Sequence, residues 1–153
     1  MRRERGERRA GLRGVDVVSV QAEVLLAGPG AAATALALTA PISFWGGVDP
    51  KSGLVADPRH PERGQLISGK VLFVPETVGS SSAAAILLEL VHGRRAPAAI
   101  VLHQPDAILL LGLIVAKEMG LETPIAVRLD RNRYAEFAGR TVAVSDKGIL
   151  SVG

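Results

Sequence analysis

Three short apolar runs, KVLFV (70–74), AAIVL (98–102) and PIAVRL (124–129), alternate with two helix-length apolar segments, SSSAAAILLELVHG (80–93) and AILLLGLIVAKEMG (107–120). No other feature of the chain constrains the fold as strongly. A strand that is apolar at nearly every position needs cover on both faces, and strand, helix and strand in succession read as parallel pairing through a crossover. Leu87, Leu88 and Val91 share the buried side of the first helix and Gly93 stops it, while Asp106 stands where a cap should begin the second. Upstream, AEVLLAGPGAAATALALTAPISF (22–44) reads as two strand-length stretches about a hairpin-like turn at Gly28-Pro29-Gly30. Downstream, GRTVAVSDKGILSVG (139–153) reads as a hairpin about Asp146-Lys147-Gly148. The expected fold is therefore α/β, a βαβαβ core flanked by hairpins.

Residues 45–69, WGGVDPKSGLVADPRHPERGQLISG, are dominated by Gly, Pro, Asp and charge. Rigid turns at Asp49-Pro50, Asp57-Pro58 and His60-Pro61 argue for an ordered loop, and long ordered connections are commonly functional. Aromatics make up only 3% of the chain, so the core must be built from Ala, Val, Leu and Ile. There is no cysteine, which excludes a disulfide scaffold, a thiol nucleophile and thiolate or iron–sulfur ligation by this chain. The histidines at 60, 92 and 103 are too scattered for a self-contained zinc site.

The net charge of +3 is not a nucleic-acid signal. MRRERGERRAGLRG at 1–14 holds six arginines and two glutamates, a net +4; the remaining 12 basic and 13 acidic residues give −1. Without a basic face or stacking aromatics in the body, no nucleic-acid partner is expected. The expected division is a disordered basic tail at 1–14 and one domain at 15–153. Asp16, Gln21 and Glu23 interrupt any secretory apolar segment, and the longest later apolar run, 107–116, is about half of what a bilayer needs. A soluble cytoplasmic protein with no membrane partner is expected.

The junction PETVGSSSAAAILLELV (75–91) is the candidate for chemistry. A serine is a preferred helix cap, yet three in a row exceed what capping requires. Free N–H groups at a helix mouth also stabilise an anion there, whether a substrate carboxylate, a phosphate or an alkoxide. Capping and catalysis both remain open at this point. The hydrolase elbow G-x-S-x-G is absent, as is the Gly-Lys-Ser/Thr ending of a phosphate loop. Gly46, Gly47 and Asp49 form a turn that either closes over substrate or is purely structural.

PISFWGGVDPKSGLVADPRHPERGQLISGKVLFVPETVGSSS (41–82), followed by APAAIVL (96–102), resembles the small swivelling domain of the aconitase X family over residues 22–129. The resemblance implies a swivelling β/β/α domain, a small subunit or fused unit beside a large subunit that carries an iron or iron–sulfur centre. It implies a hydro-lyase active only with that large subunit, in a heterodimer or higher assembly, on a small-molecule hydroxy acid. Ser80 aligns with the family's proton acceptor, with Gly79, Ser81, Ser82, Gly47 and Asp49 as substrate-binding candidates; no metal ligand and no bound cofactor is assigned to this chain. Iron would take the leaving hydroxyl on the partner. Gly79-Ser80-Ser81-Ser82 leans toward the cis-3-hydroxy-L-proline dehydratases rather than the mevalonate 5-phosphate dehydratases. A swivelling phosphohistidine domain lacks its nucleophile here, because Val48-Asp49-Pro50 follows Gly46-Gly47. A non-catalytic docking or regulatory subunit remains the other class.

Overall fold

The computed structural model describes residues 18–79 and 81–152. The basic tail at 1–14 lies outside them. The elements run β1 (Val18–Gln21), β2 (Glu23–Leu26), β3 (Ala31–Ala37), a helical turn α1 (Phe44–Gly47), β4 (Val71–Val74), α2 (Ala83–His92), β5 (Ala99–Leu102), α3 (Ala107–Glu118), β6 (Ile125–Arg128), a 3-10 helix (Arg131–Glu136), β7 (Thr141–Val144) and β8 (Ile149–Val152). The strand order is β1-β8-β7-β3-β4-β5-β6-β2. β3, β4, β5 and β6 are mutually parallel, as the alternation of strands and helices requires.

Three layers result. On β4, Val71 and Phe73 face one side and Leu72 and Val74 the other, the period of two expected of a strand. Leu72, Val74, Ile100 and Leu102 pack under α2 and α3 against Leu87, Leu90, Leu109 and Leu113. Val71, Phe73, Val101, Ile125 and Val127 pack against Val142, Val144, Leu150 and Val152 of the antiparallel strands. Tyr134 and Phe137 fill this second core around Phe73, edge-on and stacked respectively. This is the β/β/α layering implied by the resemblance.

Two corners join the sheets. β3 pairs with β7 through Ala31–Thr34 and with β4 through Ala35–Ala37. β1 and β2, separated only by buried Ala22, lie at opposite ends of the strand order. The turn at Gly28-Pro29-Gly30 is consequently not a hairpin. β2 pairs antiparallel with β6 and β3 with β7, so the turn carries the chain from one sheet edge toward the other. Gly28 allows this crossing because any Cβ there would stand 2.6 Å from the backbone nitrogen of Ile125. The C-terminal hairpin forms as expected, with Gly148 at φ +86°.

At the end of α2, Gly93 is not the left-handed residue; Arg94 is, at φ +60°. The amide of Arg95 donates to Leu90 O and that of Arg94 to Val91 O, which closes the helix. Loop 45–69 is ordered, with antiparallel bridges Val48 to Val55 and Leu54 to Leu66. Buried His60 clips it down: its Nδ1 accepts from the Glu62 amide, and its Nε2 lies 3.2 Å from Ala40 O. The Glu62 carboxylate accepts from the Thr39 amide and hydroxyl. Among the described residues no helix is long and apolar enough to cross a membrane.

Candidate active site

Parallel strands deliver their following loops to one edge of the sheet, where open α/β folds place ligands. Here the loops after β4, β5 and β6 meet. Behind Val74, Thr77 forms a parallel bridge with Ile42: the Ile42 amide donates to Glu76 O at 3.0 Å, and the Val78 amide to Ile42 O at 2.9 Å. The Thr77 hydroxyl donates to Asp106 Oδ2 at 2.6 Å. Asp106 Oδ1 accepts from the amides of Ile108 and Leu109, both at 3.0 Å. One carboxylate therefore caps α3 and ties the loop after β5 to the loop that leads into the serines.

The serine cluster itself divides. Ser80 lies outside the described residues. Gly79 is exposed with open space around its Cα, Ser81 is exposed, and Ser82 is the half-buried N-cap of α2. The expectation of a serine cap is not met at Ser82, whose side chain makes no capping hydrogen bond. The reason is backbone geometry. Ser82 has helical angles (φ −73°, ψ −11°), whereas a capping side chain reaches back from an extended residue such as Asp106 (φ −123°, ψ 97°). α2 carries no acidic side chain in its first turn, so its positive end is not neutralised from within the helix.

The Gly46-Gly47 turn packs at α2 through α1, on the side of the serine loop. Phe44 is its buried anchor and Trp45 is 56% exposed at its tip. Gly46 has φ +82°, a conformation that favours glycine, and Gly47 is buried against Ile42. Asp49 is engaged in its own turn. Its carboxylate accepts from the Lys51 amide at 3.0 Å and the Ser52 hydroxyl at 2.8 Å, and these bonds hold its pKa below the usual carboxylate range. Gly79, Ser81 and Ser82 thus stand together at the start of α2, Gly47 is buried in a turn whose helix packs on α2, and the Asp49 carboxylate is committed locally.

Sequence reasoning overlooked a second feature of this edge. An open crevice of about 660 Å³ lies between residues 75–77, 103–108 and Arg131. His103, half-buried at the end of β5, is held twice: Arg128 Nε donates to its carbonyl at 2.8 Å, and the Arg131 amide donates to its Nδ1 at 3.0 Å. With Nδ1 an acceptor, the ring proton sits on Nε2. The dipeptide His103-Gln104 at the end of a parallel strand was the available signal. Its holders lie 25 and 28 residues downstream, beyond the reach of any local pattern.

Residues 19–152 match the family profile described as the aconitase X swivel domain. The chain belongs to that family. It is 52% identical over 86 residues to the cis-3-hydroxy-L-proline dehydratase of Pseudomonas aeruginosa, a match spanning 56% of this chain and 15% of that protein. It is 36% identical over 113 residues to the phosphomevalonate dehydratase small subunit of Thermococcus onnurineus, spanning 73% of this chain and 82% of the relative. The crystal structure of Thermococcus kodakaraensis aconitase X (holo-form) superimposes with a TM-score of 0.76 at 27% identity, covering 89% of this chain and 98% of that one. The chain spans about one-seventh of the Pseudomonas enzyme and most of the Thermococcus small subunit.

Proposed function

We propose that the chain is the small subunit of an aconitase X-type dehydratase acting on cis-3-hydroxy-L-proline, in which Ser80 removes the carbon-bound proton. The 52% identity to a hydroxyproline dehydratase carries the reading of the substrate. The similarity to an archaeal small subunit, 82% of whose length is covered, keeps phosphomevalonate as the second substrate to test.

A serine hydroxyl is a weak base at its ordinary acidity and needs surroundings that favour the alkoxide. The unneutralised N-terminus of α2 and the amides of the Gly79–Ser82 loop are the groups of this chain suited to that task. Ser81 and Ser82 would orient the substrate, with exposed Gly79 allowing close approach; Gly47, buried against Ile42, would shape the neighbouring turn without touching the substrate. The proton removed is the one beside the carboxylate, which is the most acidic carbon-bound proton of the substrate. This chain's own donors do not fit an iron centre: it has no cysteine, and among the described residues no three His, Asp or Glu side chains cluster to hold a metal. An iron or iron–sulfur centre is assigned to the large subunit, and proton removal and substrate orientation to this chain.

The test is reconstitution with the large subunit, followed by turnover of both substrates. Ser80→Ala should cut dehydration by at least about 10²-fold while complex formation survives. Loss of a cap alone would instead cost roughly 1 kcal/mol of stability. Near-normal turnover with a lowered Tm would refute the catalytic assignment. Loss of assembly would point to the docking role.

A further inference from the structure

The crevice beside the serine loop separates into groups that are spent on the fold and groups that are not. Both oxygens of Asp106, the hydroxyl of Thr77 and Nε of Arg128 are engaged in holding loops together. Three other lining groups have no protein partner among the described residues: the Nε2–H of His103, the guanidinium of Arg131 and the carboxylate of Glu76. The Arg131 amide holds the His103 ring at Nδ1, and Arg128 holds the main chain beneath it. A lining side chain held in this way, with its remaining N–H unspent, is suited to a ligand acceptor. The first residues of α3, Ala107 and Ile108, line the same space, where the Asp106 carboxylate already occupies the positive end of that helix and leaves Arg131 as the cationic group for a ligand. Arg131 and His103 together suit a carboxylate, and Glu76 suits a cation on the same small molecule.

We propose that this crevice is the subsite for a small α-amino acid, with its carboxylate on Arg131 and His103 and its ammonium on Glu76. The assignment rests on the reading of the chain as a dehydratase subunit, and it deepens that reading by choosing a zwitterion over a phosphorylated hydroxy acid. A doubly anionic substrate would gain nothing from Glu76 and would be repelled by it. Val78 and Gly79 connect Glu76 and Thr77 to Ser80. A ligand held in the crevice is therefore tethered to the same loop as the proposed base.

The test uses the full 153-residue chain, labelled with nitrogen-15 and titrated with L-proline, with inorganic phosphate as the competing anion. L-proline should shift the amides of Thr77, His103, Gln104, Ala107 and Arg131 saturably. Arg131→Ala and His103→Ala should each weaken binding about tenfold. His103→Gln, which keeps a side-chain N–H donor, should recover most of the loss. Shifts confined to other regions, no saturable shift, or tighter binding of phosphate at the same amides would each overturn the proposal. In the reconstituted complex, Arg131→Ala should raise KM for cis-3-hydroxy-L-proline more than it lowers kcat. An active complex with an unchanged KM defeats the crevice and spares the proposed function. Binding of L-proline as described, in a chain whose complex does not dehydrate hydroxyproline, does the reverse.

Discussion

Gly112, buried in the middle of α3, offers a quantitative test of how α2 and α3 meet. A Cβ at this position would stand 2.4 Å from the carbonyl oxygen of Ala84, 3.2 Å from its carbon and 3.3 Å from its Cα. All three are backbone atoms of α2, so no side chain can rotate away. Restoring ordinary contact at 3.4 Å requires the helices to separate by about 1 Å at this point. That displacement opens the packing of Leu87 and Leu90 against Leu109 and Leu113. Overpacking of this kind costs about 1–3 kcal/mol, and the rigid neighbour puts Gly112→Ala near the upper end. Replacing a helical glycine by alanine returns about 1 kcal/mol of propensity. The net loss is about 2 kcal/mol, which in a domain of this size lowers Tm by roughly 4–8 °C. Thermal unfolding followed by circular dichroism measures it. Ala84 lies in the first turn of α2, two residues beyond Ser82. Turnover of the reconstituted complex should therefore fall even at temperatures where the variant is fully folded. An unchanged or raised Tm would show that the helices do not approach at Ala84.

Asp106→Ala should cost about 1–2 kcal/mol, visible in urea unfolding. Asp106→Asn should cost less, because one oxygen can keep the cap while the Thr77 hydroxyl loses its acceptor. Tyr134 is the single tyrosine of the chain, and burial holds its phenol above the ordinary value near 10. The folded state thus favours the protonated form. Its contribution is complete below the unfolded pKa and is lost as pH rises past it, so tyrosinate absorbance should appear with alkaline unfolding rather than at the usual pH. A titration near pH 10 with the fold intact would contradict this burial. Removing residues 1–14 should move Tm by less than about 2 °C, while changing the net charge from +3 to −1 and abolishing retention on a cation exchanger. A larger fall in Tm would mean that the segment packs on the domain.

What the sequence disclosed was what its local periodicity encodes. β4, β5, β6, α2 and α3 lie where the apolar runs stand, and Asp106 caps α3 as expected. Pairing between distant segments was not legible. Val18-Ser19-Val20-Gln21 is too short and polar to declare itself a strand, yet it pairs with the C-terminal strand β8. The 3-10 helix RNRYAE shows no apolar period, and its Tyr134 is recognisable as core only because the hydroxyl reaches Val74 O at 3.0 Å beneath the sheet. The serine loop was found through composition. The tie between Thr77 and Asp106 spans 29 residues and exists only once two parallel strands lie side by side.

The pairing of Val18 with Val152 gives the domain one doorway. The chain enters and leaves at adjacent points of the same sheet edge, so anything joined before residue 18 or after residue 152 departs from a common spot. Segments attached at both ends would start side by side, because Val18 and Val152 are paired neighbours. A circular permutant that links residue 152 to residue 18 through a few glycines, with new ends in an exposed loop, would keep every strand neighbour.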